Sequence, residues 1–187
     1  MTIGYAMCGS FCTVETAMGQ LENLIKQNHT VLPIMSDMLY NTDTRFGKCQ
    51  DIRARVQELC GKSIIHTIPE AEPLGPAMKL DAIIISPCTG NTLAKLAHGI
   101  TDTAVCMAVK AHLRNDRPVI IALASNDALS TGLSNIALMM NRKNIYFVPL
   151  SQDDPLKKPH SLVCNFDLIP ETLTNALKGK RIDKIIL

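Results

Sequence analysis

Short apolar runs alternate along the chain with stretches in which apolar residues recur every three or four positions. Thr2 to Met7 is an apolar run that predicts a strand, ending at Cys8-Gly9-Ser10. Between Thr13 and Asn28, Val14, Ala17, Met18, Leu21, Leu24 and Ile25 fall on one helical face. Val31 to Met35 predicts a second strand. Pro33 within it points to an edge position or a local distortion, because proline has no N–H to give to a ladder. Ser36 to Lys48 is polar and mixed and reads as loop. Ile52, Val56, Leu59 and Cys60 predict a helix over Gln50 to Cys60, with Gly61 as its C′ residue.

Ser63 to Ile68 reads as a strand, and Pro69 to Leu80, with Pro69, Pro73, Gly75 and Pro76, allows at most a short helix. "AIIIS" within Asp81 to Ser86 and "PVIIAL" over Pro118 to Leu123 are continuous apolar runs, the mark of strands buried on both faces. Helical spacing covers Asn91 to His98, Asp102 to Asn115, Ser130 to Asn141 and Pro170 to Lys178, and Ile145 to Leu150 is a strand candidate. Ser151 to His160 is rich in Pro and Lys and reads as a surface loop or flap. Strand–helix alternation from end to end predicts an α/β, three-layer Rossmann-like fold with a mostly parallel, doubly wound sheet. No repeat, low-complexity run or linker divides residues 1–187, so one domain is expected.

Composition narrows the picture. Of 187 residues, 47% are apolar and 19% charged, which is ordinary globular material. Aromatic residues are 4% and Trp is absent, so the core must be built from Ile, Leu, Val, Ala and Met. The net charge is +2, and the basic cluster Lys178, Lys180, Arg181 lacks interleaved aromatics. It reads as a solvated helix end, and nucleic acid is not an expected partner. No apolar stretch approaches the roughly 20 residues of a membrane span, so no membrane partner is expected. MTIGYAMCGS lacks a basic n-region, and no signal peptide is expected. Seven cysteines without a CxxC pair read as reduced thiols of a cytoplasmic protein, mostly buried, with no metal site. For Cys8, Cys12 and Cys88 a buried, inert thiol is the expectation. His29, His66, His112 and His160 share no ligand spacing, and His98, just before Gly99, fits a helix C-terminus.

In doubly wound sheets ligands sit beyond the carboxyl ends of the strands, against free N–H groups of the following helices. Here those ends carry Gly9, Ser10, Phe11 and Thr13; then Ser36-Asp37; then Ser86-Pro87-Cys88-Thr89-Gly90-Asn91-Thr92; then Ser125-Asn126-Asp127. Any one of these hydroxyls could be a plain helix cap. Four converging ends suit instead a phosphorylated ligand held by neutral donors. The first turn, G-S-F-C-T, is not the dinucleotide GxGxxG, and no GK[ST] of a P-loop occurs.

"SPCTGNTLAKLAHGITDTAV" resembles the signature of the flavin-containing cysteine decarboxylase superfamily. Ser86, Pro87, Thr89, Asn91, Thr92, Lys95, Gly99, Ile100 and Asp102 match it. The G-S-F turn and Ser36 also match that family's flavin contacts. The resemblance spans about residues 2 to 150. It implies FMN bound between subunits of a homo-oligomer, a trimer or dodecamer, with a cofactor site of Gly9, Ser10, Phe11, Thr13, Ser36, Ser86, Thr89, Asn91, Thr92, Ser125 and Asn126. Ser10, Thr13 and Ser36 would lie nearest the phosphate and ribityl groups, and Asn126 and Asp127 on the substrate side. "MCGSFCT", "SDMLYNTDTRFG" and "LASNDALSTGLSNIALMMNRKNIYFVPL" are similar to one branch of that superfamily, the flavoprotein-like subunits of a two-subunit oxidoreductase. That branch implies a small-molecule substrate, a separate nucleotide-binding subunit carrying NAD(P), and work in the mother cell of a sporulating bacterium. Two alternatives stand beside it: a non-catalytic assembly or metabolite-binding subunit, and a flavin-dependent decarboxylase of a small thiol. The decarboxylases carry a catalytic His after their second strand and a P-x-M-N-x-x-M-W motif later. "SDMLYNTDTRFGKCQD" has no His, and Leu123 to Leu129 keeps only the Asn.

Overall fold

The two doubly apolar runs become the centre of the sheet because neither face of them tolerates water. The structure is a computed structural model that describes residues 1–75 and 77–187. Its strands are β1 (Thr2–Met7), β2 (Thr30–Met35), β3 (Ala82–Cys88), β4 (Val119–Ser125), β5 (Ile145–Phe147), β6 (Leu150–Ser151) and β7 (Leu162–Cys164). All seven residues of β3 and of β4 are buried. The strands run in the order β2-β1-β3-β4-β7-β6, with β5 beside β4. β2, β1, β3, β4 and β5 are mutually parallel, whereas β7 pairs antiparallel with both β4 and β6. β5 occupies the lower half of β4, Val119 to Ile121, and β7 occupies its tip at Ala124 and Ser125.

Helices cover both faces: α1 (Val14–Lys26), α2 (Asp37–Asn41), α3 (Cys49–Cys60), α4 (Ile68–Ala71), α5 (Gly90–His98), α6 (Ala104–Leu113), α7 (Gly132–Met140) and α8 (Ile169–Leu177). The fold is the mixed α/β, Rossmann-like arrangement that the alternation predicts. Gly61 closes α3 in the left-handed conformation, φ 59°, and Pro33 lies on the edge strand β2. None of the helices among the described residues is long and apolar enough to cross a membrane.

Four local readings need correction. Ser63 to Ile68 forms no strand: Ile65 makes a single bridge to Ile34 on the outer side of β2. Thr67 and Glu70 then form a reciprocal capping box that starts α4 at Ile68. Ser36 to Lys48 is not all loop, since the Ser36 side chain accepts from the Leu39 N–H and opens α2. Ile145 to Leu150 breaks after Phe147, because Pro149 interrupts the ladder and Leu150 turns into an antiparallel pair with Cys164. Cys12 is exposed rather than buried, on the turn Phe11–Thr13 that precedes α1. Pro76 lies outside the described residues.

His112 gives the fold a pH dependence. Its ring is fully buried on α6, with Nε2 3.1 Å from the Pro118 carbonyl and Nδ1 without a hydrogen-bond partner among the described residues. A carbonyl accepts, so Nε2 carries the proton and Nδ1 is bare. Burial lowers the pKa from the ordinary 6.5 because a second proton would leave a buried charge with no acceptor. The unfolded chain therefore binds that proton first, and stability is full above pH 6.5 and lost as pH falls through the folded value. Thermal unfolding followed from pH 8 to 5 should show a falling melting temperature, and His112→Gln should flatten it. Equal slopes for the two proteins would remove His112 as the cause.

Candidate functional site

Three strand tips frame one cleft of about 550 Å3. From β1 come Gly9, Ser10, Phe11 and Thr13; from β3, Thr89, Gly90 and Asn91; from β4, Ser125, Asn126 and Asp127. An adjoining cleft of about 460 Å3 shares Gly9, Phe11, Thr89 and Asn91 and adds Ser36 and Thr92. The structure thus brings together every residue of the expected cofactor and substrate set except one. Ser86 is fully buried in β3 and lines neither cleft, and its Oγ has no hydrogen-bond partner among the described residues. β3 runs on to Cys88, two residues past the predicted end, which leaves Ser86 inside the sheet.

The cap reading and the ligand reading can now be separated residue by residue. Thr89 is a cap: its Oγ1 accepts from the Thr92 N–H at 3.2 Å and donates to Thr92 Oγ1 at 3.1 Å. Ser36 is a cap as well. Ser10 and Thr13 are not, because neither side chain caps the helical turn it precedes. Thr13 Oγ1 instead reaches the Ser10 carbonyl at 2.9 Å and Ser10 Oγ at 3.1 Å. Asn91 lies inside the first turn of α5 and Asn126 on an exposed loop. Helix starts therefore do not account for Ser10, Thr13, Asn91 or Asn126.

Backbone donors add to the hydroxyls. The first N–H groups of a helix have no intrahelical partner. Thr89 takes that of Thr92, and those of Gly90 and Asn91 remain at the cleft wall. Gly90 lets two side chains from the tip of β4 come close to this backbone: a Cβ here would lie 2.5 Å from Ser125 Oγ and 2.9 Å from Asp127 Oδ1 unless they turned away. Ser125 Oγ donates to Asp127 Oδ1, and Thr131 Oγ1 donates to Asp127 Oδ2 at 3.1 Å. The Ser125 bond holds the Asp127 carboxyl below the usual carboxylate range, so it stays ionised.

The second half of the "SPCTGNTLAKLAHGITD" motif closes α5 and sets an ion pair on the wall of the adjoining cleft. Gly99 terminates α5 at φ 72°, and Lys95 Nζ pairs with Asp102 at 2.8 Å across that turn. Thr92 Oγ1 donates to Cys8 Sγ at 3.3 Å. Burial pushes the Cys8 thiol up to about 12 and Cys88 well above its ordinary value, so both are inert.

Several lining residues come from outside the strand ends. Arg45 and Phe46 arrive from the loop after α2, and Asp153 and Lys158 from the segment between β6 and β7. The pairing of β7 with the tip of β4 carries that segment to the cleft. Local periodicity held no signal for these four residues, though the Ser151 to His160 flap that carries two of them was legible as a loop. Among the described residues no histidine lines either cleft.

Fold and cleft define a Rossmann-like protein whose site is lined by amides and hydroxyls at the strand tips and by charged side chains mostly from its loops, and similarity to known proteins gives the class. A family model described as Flavoprotein matches residues 3–167, and the chain belongs to that family. It is 41% identical over 185 residues to the B subunit of dipicolinate synthase from Bacillus subtilis (strain 168), covering 99% of this chain and 92% of that one. A crystal structure of the dipicolinate synthase B subunit from Bacillus halodurans C superposes with a TM-score of 0.91 at 36% identity, over 100% of this chain and 95% of that one. The FMN-dependent cysteine decarboxylase SpaF shares the fold, with a TM-score of 0.71 at 17% identity over 96% and 97% of the two chains.

Proposed function

We propose that this chain is the flavin-binding subunit of a dipicolinate-forming oxidoreductase. It would work with a separate dipicolinate synthase A subunit that carries NAD(P), in the cytoplasm of the mother cell during sporulation. The observation that carries the cofactor half is the set of cleft hydroxyls and amides that cap nothing, in a chain 41% identical to a dipicolinate synthase B subunit.

FMN fits this donor set. Its phosphate is an anion, and two helix starts with neutral hydroxyls stabilise an anion without a matching charge. Ser10 and Thr13 hold the phosphate and ribityl end, with Ser36 beside the same turn. The Gly90 and Asn91 amides meet the phosphate or the ring edge, and the missing Cβ at Gly90 lets the ligand and the Ser125–Asp127 pair approach the backbone together. Ser86, buried in β3, takes no direct part, and next to it the Pro87 carbonyl ties the first turn to β3 by accepting from the Cys8 N–H at 3.1 Å. A bound flavin supplies a two-electron acceptor beside the substrate.

Conversion of a dihydrodipicolinate-type precursor to dipicolinate removes a hydride equivalent and a proton. Asp127, ionised and oriented by Ser125 and Thr131, is the acceptor this chain offers on the substrate side. Asp127→Asn should lower turnover by about a hundredfold or more, given the usual worth of a positioned base, with FMN affinity unchanged. Wild-type turnover in that variant would exclude the role. On this reading residues 1–187 act as one flavoprotein-like domain in a homo-oligomer.

The absence of a cleft histidine among the described residues disfavours decarboxylation of a thiol substrate, and it also leaves room for a non-catalytic subunit. Turnover of the A subunit with NAD(P), assayed with and without this chain, separates the two. The proposal expects a large gain on addition; full turnover by the A subunit alone would give this chain an assembly role.

A further inference from the structure

The charged residues of the cleft come from its loops, whereas the strand tips supply neutral donors and Asp127. Both oxygens of Asp127 are engaged by Ser125 and Thr131, and Asp153 is paired with Lys158, Nζ to Oδ2, at 2.7 Å. Arg45 has no carboxylate within 4.0 Å among the described residues, and its guanidinium rests 4.8 Å from the ring centre of Phe46. The cleft thus keeps one guanidinium with no carboxylate paired to it. It also keeps an ammonium with two donors to spare, since lysine has three and Asp153 takes one.

Neither cation is on a free tail. Arg45 sits at the tip of a turn closed by reciprocal backbone bonds between Thr44 and Gly47, at 3.0 and 3.1 Å. Asp43 secures the far side by accepting from the Cys49 N–H at 2.9 Å. Lys158 belongs to a turn in which its own N–H meets the Asp154 carbonyl at 2.8 Å and the Lys157 N–H meets Asp154 Oδ1 at 3.0 Å. The segment is tied to the β4 side by the Leu129 N–H on the His160 carbonyl, 2.9 Å. Asp153, held ionised by Lys158, keeps the ammonium in place.

We infer that Arg45 and Lys158 form a two-point clamp for the two carboxylates of a small dicarboxylic substrate at the mouth of this cleft. The guanidinium fork takes one carboxylate through two parallel N–H bonds. The Lys158 ammonium takes the other while still bound to Asp153, which fixes its direction. The neutral inner wall is left for the cofactor, and the specificity lies in the spacing of two loops outside the family motif. The inference rests on the oxidoreductase reading, because it assigns this cleft to the substrate of that reaction.

Equilibrium dialysis with pyridine-2,6-dicarboxylate, followed by its ultraviolet absorbance, tests it with and without saturating FMN. Arg45→Gln and Lys158→Gln, both at exposed side chains, should each weaken binding about tenfold, as expected for loss of a charged hydrogen-bond partner. FMN affinity should stay at the wild-type value. Pyridine-2-carboxylate should bind the wild-type protein about tenfold more weakly than the diacid. Unchanged diacid affinity in both variants, equal affinity for the two acids, or no diacid binding to the wild type would each overturn the clamp. Weakened FMN binding in both variants would also overturn it, since the cations would then hold the flavin phosphate. Diacid binding that is lost in the variants while FMN never binds would uphold the clamp and sink the flavin reading.

Discussion

Gly90→Ala is expected to raise the dissociation constant for FMN roughly ten- to hundredfold while the protein still folds. The new Cβ would stand 2.5 Å from Ser125 Oγ and 2.9 Å from Asp127 Oδ1, and 3.4 Å from Ser125 Cβ. The Ser125 backbone is held by its pairing to Leu162 of β7 at the tip of β4, so relief has to come from turning its hydroxyl off the Asp127 carboxylate or from moving α5. The methyl group therefore displaces either the first turn of α5 or the Ser125–Asp127 pair, and both line the cleft. Overpacking of this kind costs about 1–3 kcal/mol, which is the stated loss in affinity if it falls on the site. Titration of the variant with FMN, alongside its circular dichroism spectrum, reads the two effects separately. Wild-type affinity in a folded variant would mean that the amide wall at Gly90 does not meet the ligand.

Ile84→Ala is expected to produce the largest loss of stability. Ile84 is fully buried at the middle of β3, opposite Tyr5 of β1 and Ile120 of β4. Layers of helix cover both faces of the sheet, so the vacated space is enclosed and cannot collapse. Truncations of this type cost about 2–5 kcal/mol. For a chain of this length that amounts to a fall in melting temperature of roughly 5–15 °C. Leu156→Ala, at a side chain 94% exposed, should change it by almost nothing. Similar shifts for the two variants would contradict the placement of the core.

How much of this was legible in the sequence depends on whether a residue's partner is local. β3 and β4 were plain from unbroken runs such as "AIIIS", because a strand covered on both faces can have no polar alternation. The cleft residues at Gly9 to Thr13, Thr89 to Thr92 and Ser125 to Asp127 were equally plain, since topology alone places strand ends together. Ile64 and Ile65 mimicked a strand because two apolar neighbours satisfy the pattern, yet only Ile65 meets β2. The T-I-P-E capping box at Thr67 was present in the letters and argued for a helix there. β7 was not legible: three residues, Leu162 to Cys164, are fixed by an antiparallel partner almost forty positions away. Arg45 and Lys158 reach the cleft only through such long-range pairing and loop closure, so no local spacing marks them. Ser86 shows the opposite failure, a hydroxyl in the right motif that the run of β3 keeps inside the sheet.

The central claim is that the hydroxyls and amides beyond β1, β3 and β4 hold a flavin mononucleotide. Its most direct test is the visible absorption of the purified protein during titration with FMN, with the bound fraction separated by ultrafiltration. A flavin that copurifies, or one that binds saturably with a shifted and structured absorption band, is the expected result. That binding should be lost when Ser10 and Thr13 are both replaced by alanine. A protein that carries no flavin and takes up none at any practical concentration would contradict the claim.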